Sequence, residues 1–432
     1  MIFRANPNIR ERGQTILLVA VSLVALLGLA ALAIDVITLY VARNETQLAV
    51  DAGALAGAKT IVDAGVTTDP CNAALALNAR NLAIQQATAV TQQNKIAGQP
   101  AQTINVTFPN IGSSNCPNPF GINPQVTVFA QRTGLPTFFA RVWNQHLASV
   151  GATATAEAYN PSNSGALSAV SSVIPIAPRC VKPMILPNCD VNHGSGCTGS
   201  GNTFINTTTG AITFPGQTPT GVIGETLTLT AACAGFGSPC VPTGPTPSSY
   251  YPLGLSTSVQ HLCPSCSTSS GGFQQDLECC NFSALACGQQ VATDYSVNPN
   301  HPGGAAANGG QCLIHEQGNT GQDLIDTATQ SPMLFIAGDN NPFVGASIQA
   351  GDHILTSDSV VTIPLYDGLT VPPSGGSVTI VGYLQGFITN VDNQGNISAT
   401  VLNVSGCGNI VSATPPVQGS GSSVPVRLIQ TP

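Results

Sequence analysis

One uninterrupted apolar run, Ile16 through Ile34, constrains this chain more than any other feature. Its 19 residues carry no charge, and Ser22 is the only hydroxyl among them. As a helix it would rise about 28 Å, close to the roughly 30 Å hydrocarbon thickness of a bilayer. Arg4, Arg10 and Arg12 precede it against Glu11 alone, whereas Asp35, Glu45 and Asp51 follow it against Arg43. Basic residues stay on the cytoplasmic side. The flanks therefore predict a cytoplasmic tail over 1–14, a transmembrane helix over 15–40 and an extracytoplasmic body beyond it. A cleaved signal peptide also starts basic, and Ala31-Leu32-Ala33 fits its small-x-small cleavage rule. Such apolar cores run only about 7–15 residues. Here the apolar pattern continues past Asp35 into Val36-Ile37-Thr38-Leu39-Tyr40-Val41. A retained anchor is the preferred reading.

The rest of the 432 residues is poor in charge, at 7%. Between Lys182 and Arg427 there is no Lys or Arg, while 13 acids occur. Such a surface cannot neutralise phosphates, so nucleic acid is not an expected partner. Of the 14 cysteines, 12 lie beyond residue 179: Cys180, Cys189, Cys197, Cys233, Cys240, Cys263, Cys266, Cys279, Cys280, Cys287, Cys312 and Cys407. In an exported chain they read as a disulfide framework whose connectivity the sequence does not reveal. Covalent closure substitutes for a core in a stretch rich in Gly and Pro and poor in aromatics.

The spacing predicts one long helix over 15–62. In its outer part, Ala49, Gly53 and Gly57 recur every four residues and share a face. Small residues at that spacing let backbones approach closely, against the chain's own sheet or against a helix of another chain. A second helix is expected over 73–97, then strands at 102–108, 125–131 and 150–159. Residues 41–160 thus form an α+β domain in which the long helix packs on a small antiparallel sheet. A linker follows over 161–172, then a Cys/Gly/Pro-rich region of strands and loops over 173–412, and a Ser/Gly/Pro tail over 413–432. The strand signal fades between 191 and 320 and returns at 333–337, 344–348, 359–366, 377–389 and 397–404. A turn at Asp392-Asn393-Gln394-Gly395-Asn396 predicts a hairpin.

Arg12-Gly13-Gln14, the apolar span, Ala33-Ile34-Asp35, Tyr40, Gln47 and Val50-Asp51-Ala52-Gly53-Ala54-Leu55-Ala56-Gly57-Ala58 together resemble the N-terminal segment of TadE/TadG-like proteins. These belong to the tight-adherence (Flp) pilus assembly system of bacteria. Thr137-Phe138-Phe139-Ala140-Arg141-Val142 resembles their downstream part, and the likeness covers roughly residues 10–160. Pro175-Ile176-Ala177-Pro178, Gly382-Tyr383 and Leu402-Asn403-Val404 fit the longer members more weakly. Pilin-like processing needs a Gly and commonly a Glu five residues on. Gly13 is followed at that distance by Leu18, which favours the retained anchor of the TadG-like branch. Some members carry a von Willebrand factor A domain, but Asp358-Ser359-Val360-Val361 does not fit its metal motif. The resemblance implies a bacterial inner-membrane protein, with other pilus-assembly proteins or pilin-like helices as partners.

Other chemistry is weakly signalled. Cys263-Pro264-Ser265-Cys266 could be a redox dithiol, or half of a zinc site with Cys279, Cys280 and His261, but disulfides suit the compartment and spacing better. The six histidines are scattered, and no His-x-x-x-His pair exists. Asp190-Val191-Asn192 with Gly194 faintly resembles the start of a calcium loop that lacks its remaining acids. Gly194-Ser195-Gly196 reads as loop filler, and Asp339-Asn340-Asn341 as a turn. The expectation is a non-catalytic, membrane-anchored component of pilus assembly or adherence, with no cofactor. A surface adhesin released by cleavage near Ala33 is the alternative, and an envelope hydrolase a distant third.

Overall fold

A computed structural model describes residues 8–109, 123–137, 139–140, 147–162, 176–193, 197, 202–256, 261–267, 272–326, 334–345, 348–373, 376–407, 417–418 and 421–429. Most of the expected linker, and Gly194-Ser195-Gly196, lie outside them. The chain divides into two compact units: 1–54 with 87–107 and 127–155, and 55–86 with 108–126 and 156–432.

The first unit holds most of helix α1 (Asn8–Asp63), the end of α2 (Ala73–Gln93) and an antiparallel sheet. Its strands are β1 (Thr103–Thr107), β2 (Gln125–Pro136) and β3 (Leu147–Ala158), in that order. β1 pairs with β2 from Thr103↔Gln131 to Thr107↔Thr127. No proline interrupts α1, whose 56 residues extend about 84 Å at 1.5 Å per residue.

The second unit is built on a closed barrel. Its strands are β4 (Met184–Pro187), β5 (Thr226–Ala231), β6 (Ser249–Pro252), β7 (Val360–Tyr366), β8 (Gly382–Val391) and β9 (Ile397–Gly406). Around the barrel the order is β7-β8-β9-β5-β6-β4, closed by parallel pairing of Leu365 with Leu186. β8 and β9 form the expected hairpin, running from Gly382↔Gly406 to Val391↔Ile397 with two bulges. Alternation sends successive side chains into different cores. Met184, Leu186, Tyr250, Leu365 and Leu384 enter one cluster. Their neighbours Ile185, Tyr251, Tyr366 and Tyr383 enter another. Burial on both faces is why these strands carry little polar–apolar alternation.

The barrel also differs from expectation where it draws on β5 and β6, from the 191–320 stretch read as low in periodicity, and on β4, just before it. Of the strand expected at 344–348, the described residues show a bridge between Val344 and Ile348. Near the C-terminus, β10 (Val426–Ile429) lies beside the end of β3, where Arg427 forks onto Glu157 Oε2 at 3.0 and 2.9 Å.

Candidate membrane anchor and its couplings

From Ile16 to Val41, α1 exposes nearly every large side chain: Ile16 is 71% exposed and Leu26 67%. A helix of this composition is long enough to cross a bilayer. Tyr40 and Arg43, both exposed just C-terminal to the run, are residue types suited to a membrane–water interface. They line a groove of about 370 Å³ with Val36, Leu39, Ser149 and Val150.

Asp35 ends the apolar run and is buried, at 3% exposure. Its Oδ2 accepts the backbone N–H groups of Phe139 and Ala140, at 2.9 and 2.7 Å. Two ionic hydrogen bonds thus tie the anchor to the turn that follows β2. One carboxylate thus joins Ala33-Ile34-Asp35 to the segment that holds Phe139 and Ala140.

Beyond Val41 the helix buries one face. Ala42, Thr46, Ala49, Val50, Gly53 and Ala54 are buried in the first unit. A Cβ built on Gly53 would collide with Thr91 Oγ1 and stand 3.0 Å from the carbonyl oxygen of Ala87. The close approach expected of Gly53 is therefore to α2 of the same chain. α2 meets it with small residues of its own, Ala87 and Thr91. The sheet touches α1 elsewhere: Gln47 Nε2 donates to the carbonyl of Thr153 at 3.4 Å. Gly57 is also buried, in the second unit.

At its C-terminal end α1 is held by a buried polar network. Asn403 of β9 donates through Nδ2 to the Val62 carbonyl and to Gln385 Oε1, both at 2.8 Å. Its Oδ1 accepts the hydroxyls of Thr67 and Thr68 at 3.1 Å. Asn160 bridges the carbonyls of Thr67 and Val404 at 3.0 and 3.1 Å. Asn403 and Asn160 are fully buried. The sequence offered only the short match Leu402-Asn403-Val404 as a pointer to this junction. Nothing local marked Asp35 as a clamp, since its partners lie 104 and 105 residues away.

All twelve cysteines from Cys180 to Cys407 are paired: Cys180–Cys280, Cys189–Cys197, Cys233–Cys240, Cys263–Cys279, Cys266–Cys312 and Cys287–Cys407. Cys71 is disulfide-bonded as well. Cys263 and Cys266 thus go to different partners, and no thiol is free among the described residues. His261 hydrogen-bonds Asp276 at 2.9 Å. Nearby, Lys182 is buried and donates to the carbonyls of Leu277 and Cys279 at 2.7 and 3.1 Å. Burial pulls its ammonium down to about 8, against the opposing pull of Asp358, Asp276 and Glu278.

Residues 13–60 match a family described as putative Flp pilus-assembly TadE/G-like. Among curated proteins and solved structures, none matches the chain. The matched stretch begins before the apolar run and ends inside the buried small-residue face, so it includes the span, the Asp35 clamp and Gly53. The similarity to the TadE/G-like family is thus confined to residues 13–60, the part of α1 that holds the apolar run and the face it packs on α2.

Proposed function

We propose that this protein is a non-catalytic, membrane-anchored, extracytoplasmic component of Flp/Tad-type pilus assembly or surface adherence. Its N-terminus is cytoplasmic and its disulfide-closed body lies outside the inner membrane. The observation that carries the reading is α1 itself. One unbroken helix runs from a fully exposed apolar stretch into a face built on Asp35, Gly53 and the Asn403 network. A cleavable leader has no need of such couplings, whereas an anchor that must hold a body at a surface does. Arg10 and Arg12 before the run, and six disulfides beyond it, fit an outward body. The family description supplies the pilus association. The expected partners are other membrane components of that assembly, including pilin-like helices, rather than a soluble substrate.

Fusing alkaline phosphatase after residue 160 should give high activity, and the full chain should resist carbonate extraction. Activity only from a cytoplasmic reporter at that position would overturn the orientation. A mature N-terminus at Ile34 would replace the anchor by a released adhesin. Wild-type piliation and adherence in a deletion strain would remove the proposed role.

A further inference from the structure

At one end of the barrel three ionisable side chains converge from separate segments. β4 runs antiparallel to β6 and β5 parallel to it, so the end of β4 and the start of β5 share a rim. Asp190 and His193 follow β4 in the loop that Cys189–Cys197 closes, and Glu225 immediately precedes β5. Asp190 and Glu225 are 0% and 1% exposed, and the His193 side chain is 15% exposed. His193 Nδ1 stands 2.8 Å from Asp190 Oδ2 and 3.1 Å from Glu225 Oε1. One donor atom from each residue lies within 4.8 Å of the others.

The cluster is held in place from outside. Asp190 Oδ1 accepts the backbone N–H groups of Asn192 and His193 at 2.9 and 3.2 Å. The imidazole stacks on Phe214 at 4.1 Å. Some of its buried polar atoms are unsatisfied. Despite the proximity of Nδ1, neither oxygen of Glu225 receives a properly directed hydrogen bond, and His193 Nε2 is also buried without a partner. Two carboxylates this close, out of water, call for positive charge. Burial, reinforced by Asp190, pushes the Glu225 acid up to about 7, while Asn192 and His193 pull the other way. The same stretch of chain has no Lys or Arg to offer between Lys182 and Arg427.

We propose that Asp190, His193 and Glu225 bind one divalent transition-metal ion, Zn²⁺ or Mn²⁺, which ties the 189–197 loop to the barrel rim. Two carboxylates and a neutral imidazole balance a dication. Oxygen donors suit Mn²⁺ and imidazole suits Zn²⁺, while the imidazole disfavours Ca²⁺ and Mg²⁺. Metal bonds of about 2.0–2.2 Å give donor–donor edges of about 3 Å in octahedral and about 3.4 Å in tetrahedral coordination, so the two distances to Nδ1, 2.8 and 3.1 Å, need little or no opening to admit the ion. The side at Val191 and His193, where both residues are partly exposed, is the path for the ion.

The test uses the full-length, tag-free protein in detergent, stripped with EDTA and titrated separately with Zn²⁺ and Mn²⁺ by calorimetry. One equivalent should bind, and Glu225→Gln and His193→Gln should each weaken binding at least 100-fold. If a variant fails to fold, Mn²⁺ bound to the wild type should still show imidazole-nitrogen coupling by electron spin-echo spectroscopy. No binding up to millimolar metal would overturn the site, as would unchanged affinity in both variants or a bound Mn²⁺ without nitrogen coupling. In the first case the cluster holds a proton instead of a metal. The pilus role stands or falls separately, on localisation and piliation.

Discussion

Asp35 shows how much one side chain can fix in this chain. Its two acceptances from Phe139 and Ala140 replace water at a carboxylate that follows the apolar run within α1. Hydrogen bonds to a charged group contribute about 1.5–3 kcal/mol each. Asp35→Ala should therefore destabilise the first unit by about 3 kcal/mol, and Asp35→Asn, which keeps one acceptor oxygen, by about half that. Hydrogen exchange at the Phe139 and Ala140 amides is the direct readout, and unchanged protection would deny the clamp. Gly53 is tested by its neighbour. Gly53→Ala pushes a methyl group into Thr91 Oγ1, and overpacking of this kind costs about 1–3 kcal/mol. Adding Thr91→Ala should recover part of the loss in a double-mutant cycle, whereas Gly53→Leu should not recover, because the Ala87 carbonyl is backbone. Lys59 is a poor control for such work: its Nζ is 2.6 Å from Asp63 Oδ2, whose acid burial pushes up and Lys59 pulls back. Exposed Leu48 serves better. Lys182 makes a pH prediction. Its folded pKa, lowered to about 8, lies below the unfolded 10.5, so the unfolded chain binds more protons between those values and stability rises with pH across that window. Above pH 10 the gain reverses, because burial pushes up the acids of Tyr250, Tyr366 and Tyr383. Urea titrations at pH 8 and pH 9.5 should show the rise in the wild type and not in Lys182→Met.

Among the elements, α1 was legible because its signal is contiguous: apolar length, flanking charge and a four-residue small repeat all lie along one segment. What the sequence withheld was the partner of that face. Ala87 lies in the second helix, but an alanine is compatible with any surface, so nothing local paired it with Gly53. The hairpin of β8 and β9 was legible for the same reason as α1, since its turn sits between two long strands. β4 and β6, each four residues long, are too short for a period and are buried on both faces. β5 does alternate, Thr226-Leu227-Thr228-Leu229, with the leucines buried, but it stands alone in a loop-rich stretch and its barrel neighbours come from elsewhere in the sequence. The trio at the barrel rim was illegible on the same ground: Glu225 joins Asp190 and His193 only through strand pairing. The element with the firmest consequence is the apolar stretch of α1. Arginine at a span's centre costs about 2.5–3.5 kcal/mol of insertion free energy. Leu23→Arg with Leu26→Arg should move the chain out of the carbonate-resistant membrane fraction. Leu77→Arg, at an exposed position on α2, should not. Retention of the double variant in the membrane would mean that something other than the apolar run holds the protein there.

At the scale of the whole molecule, the second unit combines a barrel with cross-links of very different span. Cys233–Cys240 closes 7 residues, and Cys287–Cys407 closes 120. Both sit in the tyrosine-rich cluster outside the barrel, where Tyr251 meets Tyr295 and Tyr366 edge-on at 6.2 and 5.9 Å. Packing alone therefore does not separate their contributions, but chain entropy does. In the loop-closure description the long bridge stabilises by about 5 kcal/mol and the short one by about 2 kcal/mol. The long bridge also fastens the end of β9, which carries Asn403, to the segment before Val291. Its loss would loosen the strand on which the end of α1 is hydrogen-bonded. Replacing Cys287 and Cys407 by Ala should thus lower the unfolding midpoint more than replacing Cys233 and Cys240. It should also deprotect the amide of Val404, which donates to Thr68 Oγ1 at 3.2 Å. The first unit, whose sheet and helix pair contain none of these twelve cysteines, should keep its exchange protection in both variants. Equal losses from the two pairs would mean that the bridges act through local packing rather than by restraining the unfolded chain. Loss of protection in the first unit as well would mean that the body folds as a single cooperative block.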